Sequence, residues 1–180
     1  MWWKVCQLEK TARLLLLVGI LVASGCGYQL VGRGSVVGAA RSVALEGFSN
    51  ETKEPGIEGI VSDALYREFA RRGDLRLVSD PSRADLVVSG AVARAFVSAR
   101  SFSSVQLTVE YQAWLRLSVT VQPREGKPLR LDPRSLAESD RFLASADVEV
   151  GRKNREEAFR RLAGILAARV HDALYVEGTP

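Results

Sequence analysis

The residue best placed for chemistry is Cys26. It follows Val22, Ala23, Ser24 and Gly25, which close a leader carrying Lys4, Lys10 and Arg13 and then no charge from Leu14 to Ala23. A basic start, a short apolar stretch and small residues before a cleavage point are the parts of a secretory signal. A cysteine just past that point supplies the thiol that lipoprotein processing acylates. The apolar stretch falls well short of the roughly 20 residues that span a bilayer, and its Ser24-Gly25-Cys26-Gly27 end does not read as an amphipathic helix. The expectation is a signal peptide over residues 1–25 that is removed, leaving covalent diacylglycerol and an N-acyl lipid such as palmitate on Cys26. One acyl chain binds a membrane only marginally, whereas several on one residue anchor it firmly. Gly27 stands where an Asp would retain a lipoprotein at the inner membrane of many Gram-negative bacteria, so the expected location is the outer membrane, anchored from the periplasmic side.

The other reactive side chains do not combine. The single His, His171, sits beside the apolar stripe of the last helix, and its neighbour Asp172 points elsewhere on that helix. It reads as a structural or surface residue. No Gly-x-Ser-x-Gly elbow, second thiol in the mature chain or helix-borne His pair is present, so nucleophilic and metal-dependent hydrolysis lack their parts. Glu156 and Glu157 stand side by side at a helix start, where carboxylates complement the helix dipole. The expectation is no catalytic residue, no metal and no cofactor apart from the lipid. Nor is a nucleic-acid partner expected. Removing the leader takes Lys4, Lys10, Arg13 and Glu9 with it, so 25 basic and 21 acidic residues become 22 and 20 and the formal charge falls from +4 to +2. The remaining charges are interspersed, as on a solvated surface.

Behind these residues stand elements legible from periodicity. Residues 26–41 hold Gly27, Gly32, Gly34 and Gly38 with no Gly-Lys-Ser/Thr after them, so they read as a flexible tether and not a phosphate loop. The rest, 42–180, is long enough for one core. Ser42 to Phe48 reads as a short strand. A helix begins at Pro55, with Ile57, Ile60, Val61, Ala64, Leu65 and Phe69 on one face and Gly73 as its left-handed cap. Leu75 to Val78 is a brief strand. Leu86 to Val97 and Val105 to Val121 form a long hairpin about a loop at Ser98 to Ser104, the second strand strictly alternating. Leu129 to Ser145 reads as one ragged edge strand broken at Pro133. A final helix opens at Asn154 with Glu157 as a capping box and buries Phe159, Leu162, Leu166, Val170 and Leu174. Two amphipathic helices and an amphipathic hairpin satisfy one another when both helices cover one sheet face. The expected fold is α+β, a two-layer sandwich with two helices on one face of a mixed sheet of four or five strands.

At this point the chain resembles the LptE lipoproteins of lipopolysaccharide assembly. The resemblance rests on CGYQLVGRG from Cys26, EGFSNETKEPGIEG from Glu46 leading into DALYREFARRGDLRLV from Asp63, ADLVVSGAV from Ala84 and NREEAFRRLA from Asn154, in the family's order. It implies the same two-helix sheet fold, a role as plug and partner of the outer-membrane β-barrel LptD, and delivery of lipopolysaccharide to the cell surface. Beside that implication, two features of the residues stand out. The strand from Leu86 looks apolar on both sides, and Trp114 projects among polar neighbours. A fit inside a barrel accounts for both, as does shading of a central strand by Leu129–Ser145. Lipopolysaccharide phosphates favour guanidinium and ammonium groups, and Arg94, Arg100, Arg116 and Lys127 lie along or at the ends of the hairpin. They are the candidate lipopolysaccharide contacts, ordinary surface charge being the plainer alternative, and Trp114 is the candidate barrel-facing residue. The competing function is an adaptor or structural envelope lipoprotein that never meets lipopolysaccharide.

Overall fold

The structure, a computed structural model, describes residues 36–102 and 108–176. Cys26, the leader and the start of the tether lie outside them.

Strand β1 (Ser42–Leu45) runs parallel to β3 (Arg76–Leu77) on one side and to the start of β4 (Leu86–Phe102) on the other, with Val43 opposite Leu86 and Leu45 opposite Val88. A two-residue strand β2 (Ser49–Asn50) continues along the same edge of β4 at Ala91 and Val92. The far side of β4 pairs antiparallel with β5 (Thr108–Pro123), the long hairpin expected from the alternation. Beyond β5 the expected ragged strand is two strands, β6 (Leu129–Arg130) and β7 (Ala137–Leu143), separated by the turn around Pro133. The seven strands form one mixed sheet. Helix α1 (Ile57–Arg72) joins β2 to β3, and α2 (Val148–Val176) follows β7.

Both helices cover one face. From β5 come Ala113, Leu115, Leu117, Val119 and Val121, every second residue and all buried, and they meet Val61, Leu65 and Phe69 of α1 and Phe159, Leu162, Leu166 and Val170 of α2 in one core. Helix α1 ends as its glycine required, Gly73 taking φ 67° while its N–H bonds Phe69 O. Helix α2 starts earlier than expected. Asp147 caps it by accepting from the N–H groups of Glu149 and Val150 at 2.8 and 3.2 Å, while Asn154 instead donates to Leu143 O at 3.1 Å. His171 is buried, with Nε2 3.1 Å from Asp74 Oδ1 and its ring edge-on to Phe69, so it ties the end of α1 to α2 as a structural residue.

Strand β4 departs from strict alternation. Val92 opposes Leu117 but Arg94 opposes Arg116, so Ala93 is an extra residue in a β-bulge. Before it, Leu86, Val88 and Val92 face the helices; after it, Ala95 and Val97 do. Strict alternation from Leu86 would put Phe96 on the face of Leu86 and Val88; the bulge moves it to the opposite side, across from Trp114. The strand looks apolar on both sides because its two halves present opposite parities to the core.

Candidate functional site

The face away from the helices holds the candidate site. Outward from β4 come Arg94 and Phe96, from β5 Gln112, Trp114 and Arg116, and from β7 Ser139 and Arg141, each placed by the register in which Phe96 opposes Trp114, Trp114 opposes Ser139, and Gln112 opposes Arg141. The Phe96 and Trp114 rings lie nearly parallel, 5° apart with centroids at 6.1 Å, and Trp114 remains 40% exposed. Arg94 lays its guanidinium over the Phe96 ring, 4.7 Å from the centroid, a geometry in which the ring quadrupole attracts the cation. Gln112 Nε2 donates to Ser139 Oγ at 3.0 Å and fixes the neighbouring rung. Arg94, Phe96, Trp114, Leu115, Arg116, Ala137, Glu138 and Ser139 line a shallow cleft of about 300 Å³.

The charge on this face follows from where the carboxylates point. On β7, Glu138 and Asp140 alternate with Ser139 and Arg141 and so turn toward α2, where Glu138 pairs with Arg169 and Asp140 with Arg161 at 2.7 Å. The Ser139 backbone N–H and the Arg169 guanidinium hold the Glu138 carboxyl below the usual range for a glutamate. Strand β7 thus gives its anions to the helix layer and its cation to the outer face. Arg94 and Arg116, directly opposite one another, have no carboxylate within ion-pair distance among the described residues, nor do Arg130 and Arg141. Like charges in direct opposition disfavour the strand pair, and an anion bound between them removes that cost.

The expected contacts therefore divide. Arg94 and Arg116 come together, with Trp114 beside them. Arg100 lies further up the hairpin and is partly neutralised, its Nη1 donating to Gln112 Oε1 at 3.1 Å and its Nε 3.8 Å from Glu110 Oε2. Lys127 lies in the turn between β5 and β6, at the other end of the hairpin. Two cations were missed: Arg130, opposite Thr120, and Arg141, opposite Gln112, both exposed. Their only signal was the alternation of a strand whose pairing the residues alone do not define. Among the described residues no group of His, Cys, Asp and Glu could hold a metal ion, and no helix is long and apolar enough to cross a membrane. What the face can do is bind: guanidinium groups for an anion, and a flat aromatic shelf for an apolar or sugar surface.

This architecture is one known from solved bacterial lipoproteins. Rare lipoprotein B from Shewanella oneidensis superposes with a TM-score of 0.50 at 14% identity, over 76% of this chain and 95% of that one. Lipoprotein B from Nitrosomonas europaea does so with a TM-score of 0.51 at 11% identity, over 84% and 92%. At such identities the likeness is one of fold. The chain matches the family model LptE, described as lipopolysaccharide-assembly, over residues 40–174, and it belongs to that family. Against curated proteins there is no match. The chain is thus a member of a lipopolysaccharide-assembly family.

Proposed function

We propose that the protein, lipidated at Cys26 and held at the periplasmic side of the outer membrane, acts as plug and partner of an LptD-type β-barrel and meets lipopolysaccharide through the outer face of its sheet. Residues 1–25 serve as the signal, 26–41 as the tether and 42–180 as the working domain. The observation that carries the reading is Arg94 in register with Arg116 beside the Phe96–Trp114 stack. Guanidinium forks recognise phosphate by paired, charge-assisted hydrogen bonds, and a neighbouring ring offers its face to the sugar that bears the phosphate. Arg100 and Lys127 contribute at the two ends of the hairpin.

The test has two arms. Acylated protein isolated from native outer membranes is expected to bring a large β-barrel with it in stoichiometric amount, and purified lipopolysaccharide is expected to bind the soluble domain and to protect Trp114 fluorescence from an aqueous quencher. Recovery of peptidoglycan-associated partners in place of a barrel, with no change at Trp114, would establish the adaptor role instead.

A further inference from the structure

The two long edges of the hairpin are treated differently. The outer edge of β5 is occupied by β7 from Glu110 to Arg116 and by β6 at Thr120 and Val121. The outer edge of β4 is occupied only at its start, where β1 and β2 pair with it; Val88 O accepts from Glu46 N at 2.9 Å and Val92 O from Glu51 N at 3.1 Å. From Ala93 to Phe102 no strand and no backbone hydrogen bond lies on that edge among the described residues. Carried past the bulge, the alternation that points Val88 and Val92 to this side points the amides of Ala95 and Val97 there as well. A row of unpaired backbone groups is a template for another strand. The stretch has no proline, and neither arginine guards it, because Arg100 turns onto Gln112 and Glu110 and Arg94 lies over Phe96.

We propose that the open edge of β4 between Ala93 and Phe102 takes an extended segment of a partner protein by strand addition, the segment carrying a carboxylate beside Arg94 and an apolar side chain beside Phe96. Main-chain hydrogen bonds supply the affinity and alternate side chains the selectivity in this mode of recognition. Charge complementarity defines the occupant. A strand laid along this edge sets its side chains within reach of those on β4, and Arg94 has no carboxylate partner among the described residues. A second copy suits the edge less well. Two-fold pairing centred on Val97 sets Arg94 against Arg100 of the other copy, like charges in direct opposition.

The proposal shares Arg94 and Phe96 with the lipopolysaccharide face described above, and it is tested without lipopolysaccharide so that the two readings fail separately. The mature acylated chain in detergent is mixed with a capped synthetic peptide of alternating Thr and Val in which the Thr face also carries a Glu and, two residues away, a Tyr; a second peptide has Lys in place of the Glu. Hydrogen exchange at Ala95 and Val97 should slow about tenfold with the Glu peptide, as unpaired edge amides enter a ladder, and far less with the Lys peptide. Val97→Pro should abolish the effect while keeping a cooperative melt, lowered by the lost packing of the Val97 side chain against the core, since it removes an N–H on the open side and none between β4 and β5. If that variant does not fold, Arg94→Glu should reverse the preference in favour of the Lys peptide. Unchanged exchange at millimolar Glu peptide, equal slowing by both peptides, or slowing that follows protein concentration without peptide, the sign of a second copy, would each overturn it.

Discussion

The Asp85 carboxylate receives the Ser42 hydroxyl at 2.7 Å together with the backbone N–H groups of Ser42 and Arg41 at 3.0 and 3.1 Å, and the Ser42 oxygen in turn accepts the Asp85 N–H at 3.0 Å. This reciprocal clamp sets β1 against the start of β4 and gives the ADLVVSGAV stretch its structural task. It also makes the join sensitive to acid. The Ser42 hydroxyl first, then the Arg41 N–H, hold the Asp85 carboxyl below its ordinary value of 3.8. A depressed carboxylate contributes stability that is complete above its unfolded-state value and is lost as pH falls through the folded one. Asp85→Asn should therefore flatten the acid limb of a melting-temperature profile below about pH 4 and leave the slope above it unaltered; an acid limb of wild-type steepness would show that the clamp carries none of it.

Core packing can be probed at Leu115, which is 1% exposed between the two helices and the sheet. Leu115→Asp leaves an unpaired carboxylate in apolar surroundings and should cost about 4 kcal/mol or more. Urea unfolding reads this directly, and a midpoint equal to wild type would place the core on the other face.

Gly90 lies under the Phe48 ring. A Cβ there would sit 2.3 Å from Ser118 O and 2.8 Å from Phe48 Cε1, and the first of these is backbone that cannot swing aside. Gly90→Ala should destabilise by about 1–3 kcal/mol, the usual cost of overpacking, with the loss appearing in the same unfolding curves.

The split of the hairpin cations predicts unequal mutants. Arg94→Glu with Arg116→Glu should lower affinity for purified lipopolysaccharide by at least about tenfold, since a hydrogen bond to a charged group contributes about 1.5–3 kcal/mol and 1.4 kcal/mol is tenfold. Arg100→Glu with Lys127→Glu should retain most of the binding. Calorimetric titration of both double variants, each with an unchanged melt, checks this; equal losses in the two would dissolve the division.

Cys26→Ala should yield a folded, unacylated protein, because the acylated thiol precedes a glycine-rich tether and not the core. Metabolic labelling with a fatty-acid analogue should mark wild type only, and label persisting on the variant would assign the lipid elsewhere.

How legible this fold is in the residues varies with the range of the interaction that shapes each element. Strand β5 is plain because its inward residues from Ala113 to Val121 alternate without interruption, and α1 is plain because its stripe closes on Gly73. The start of α2 misleads: Asn154 and Glu157 have the spacing of a capping box, yet Asp147 reaches the first free amides sooner. For β4, no local pattern announces the extra residue, since the bulge arises where the strand is matched against β5 and the helix layer. The same holds for Arg130 and Arg141, whose outward direction follows only from pairing with Thr120 and Gln112. Arg94, Arg116 and Trp114 could be named from the sequence, but not gathered; two strands and one bulge do that.

Ala93 is a silent insertion. A chain with this residue excised would run as an unbroken ladder from Leu86 to Ala99, with Arg94 and Phe96 outward and Ala95 and Val97 inward, just as they are now. What the alanine adds is shape: a bulge bends its strand and sharpens the local twist, so the distal half of the hairpin leaves the plane of the sheet's base. Polarity and curvature are thereby uncoupled along β4, and a lineage gaining or losing this one residue could change the curl of the outer face, and the fit of whatever lies against it, without changing a single side chain on it.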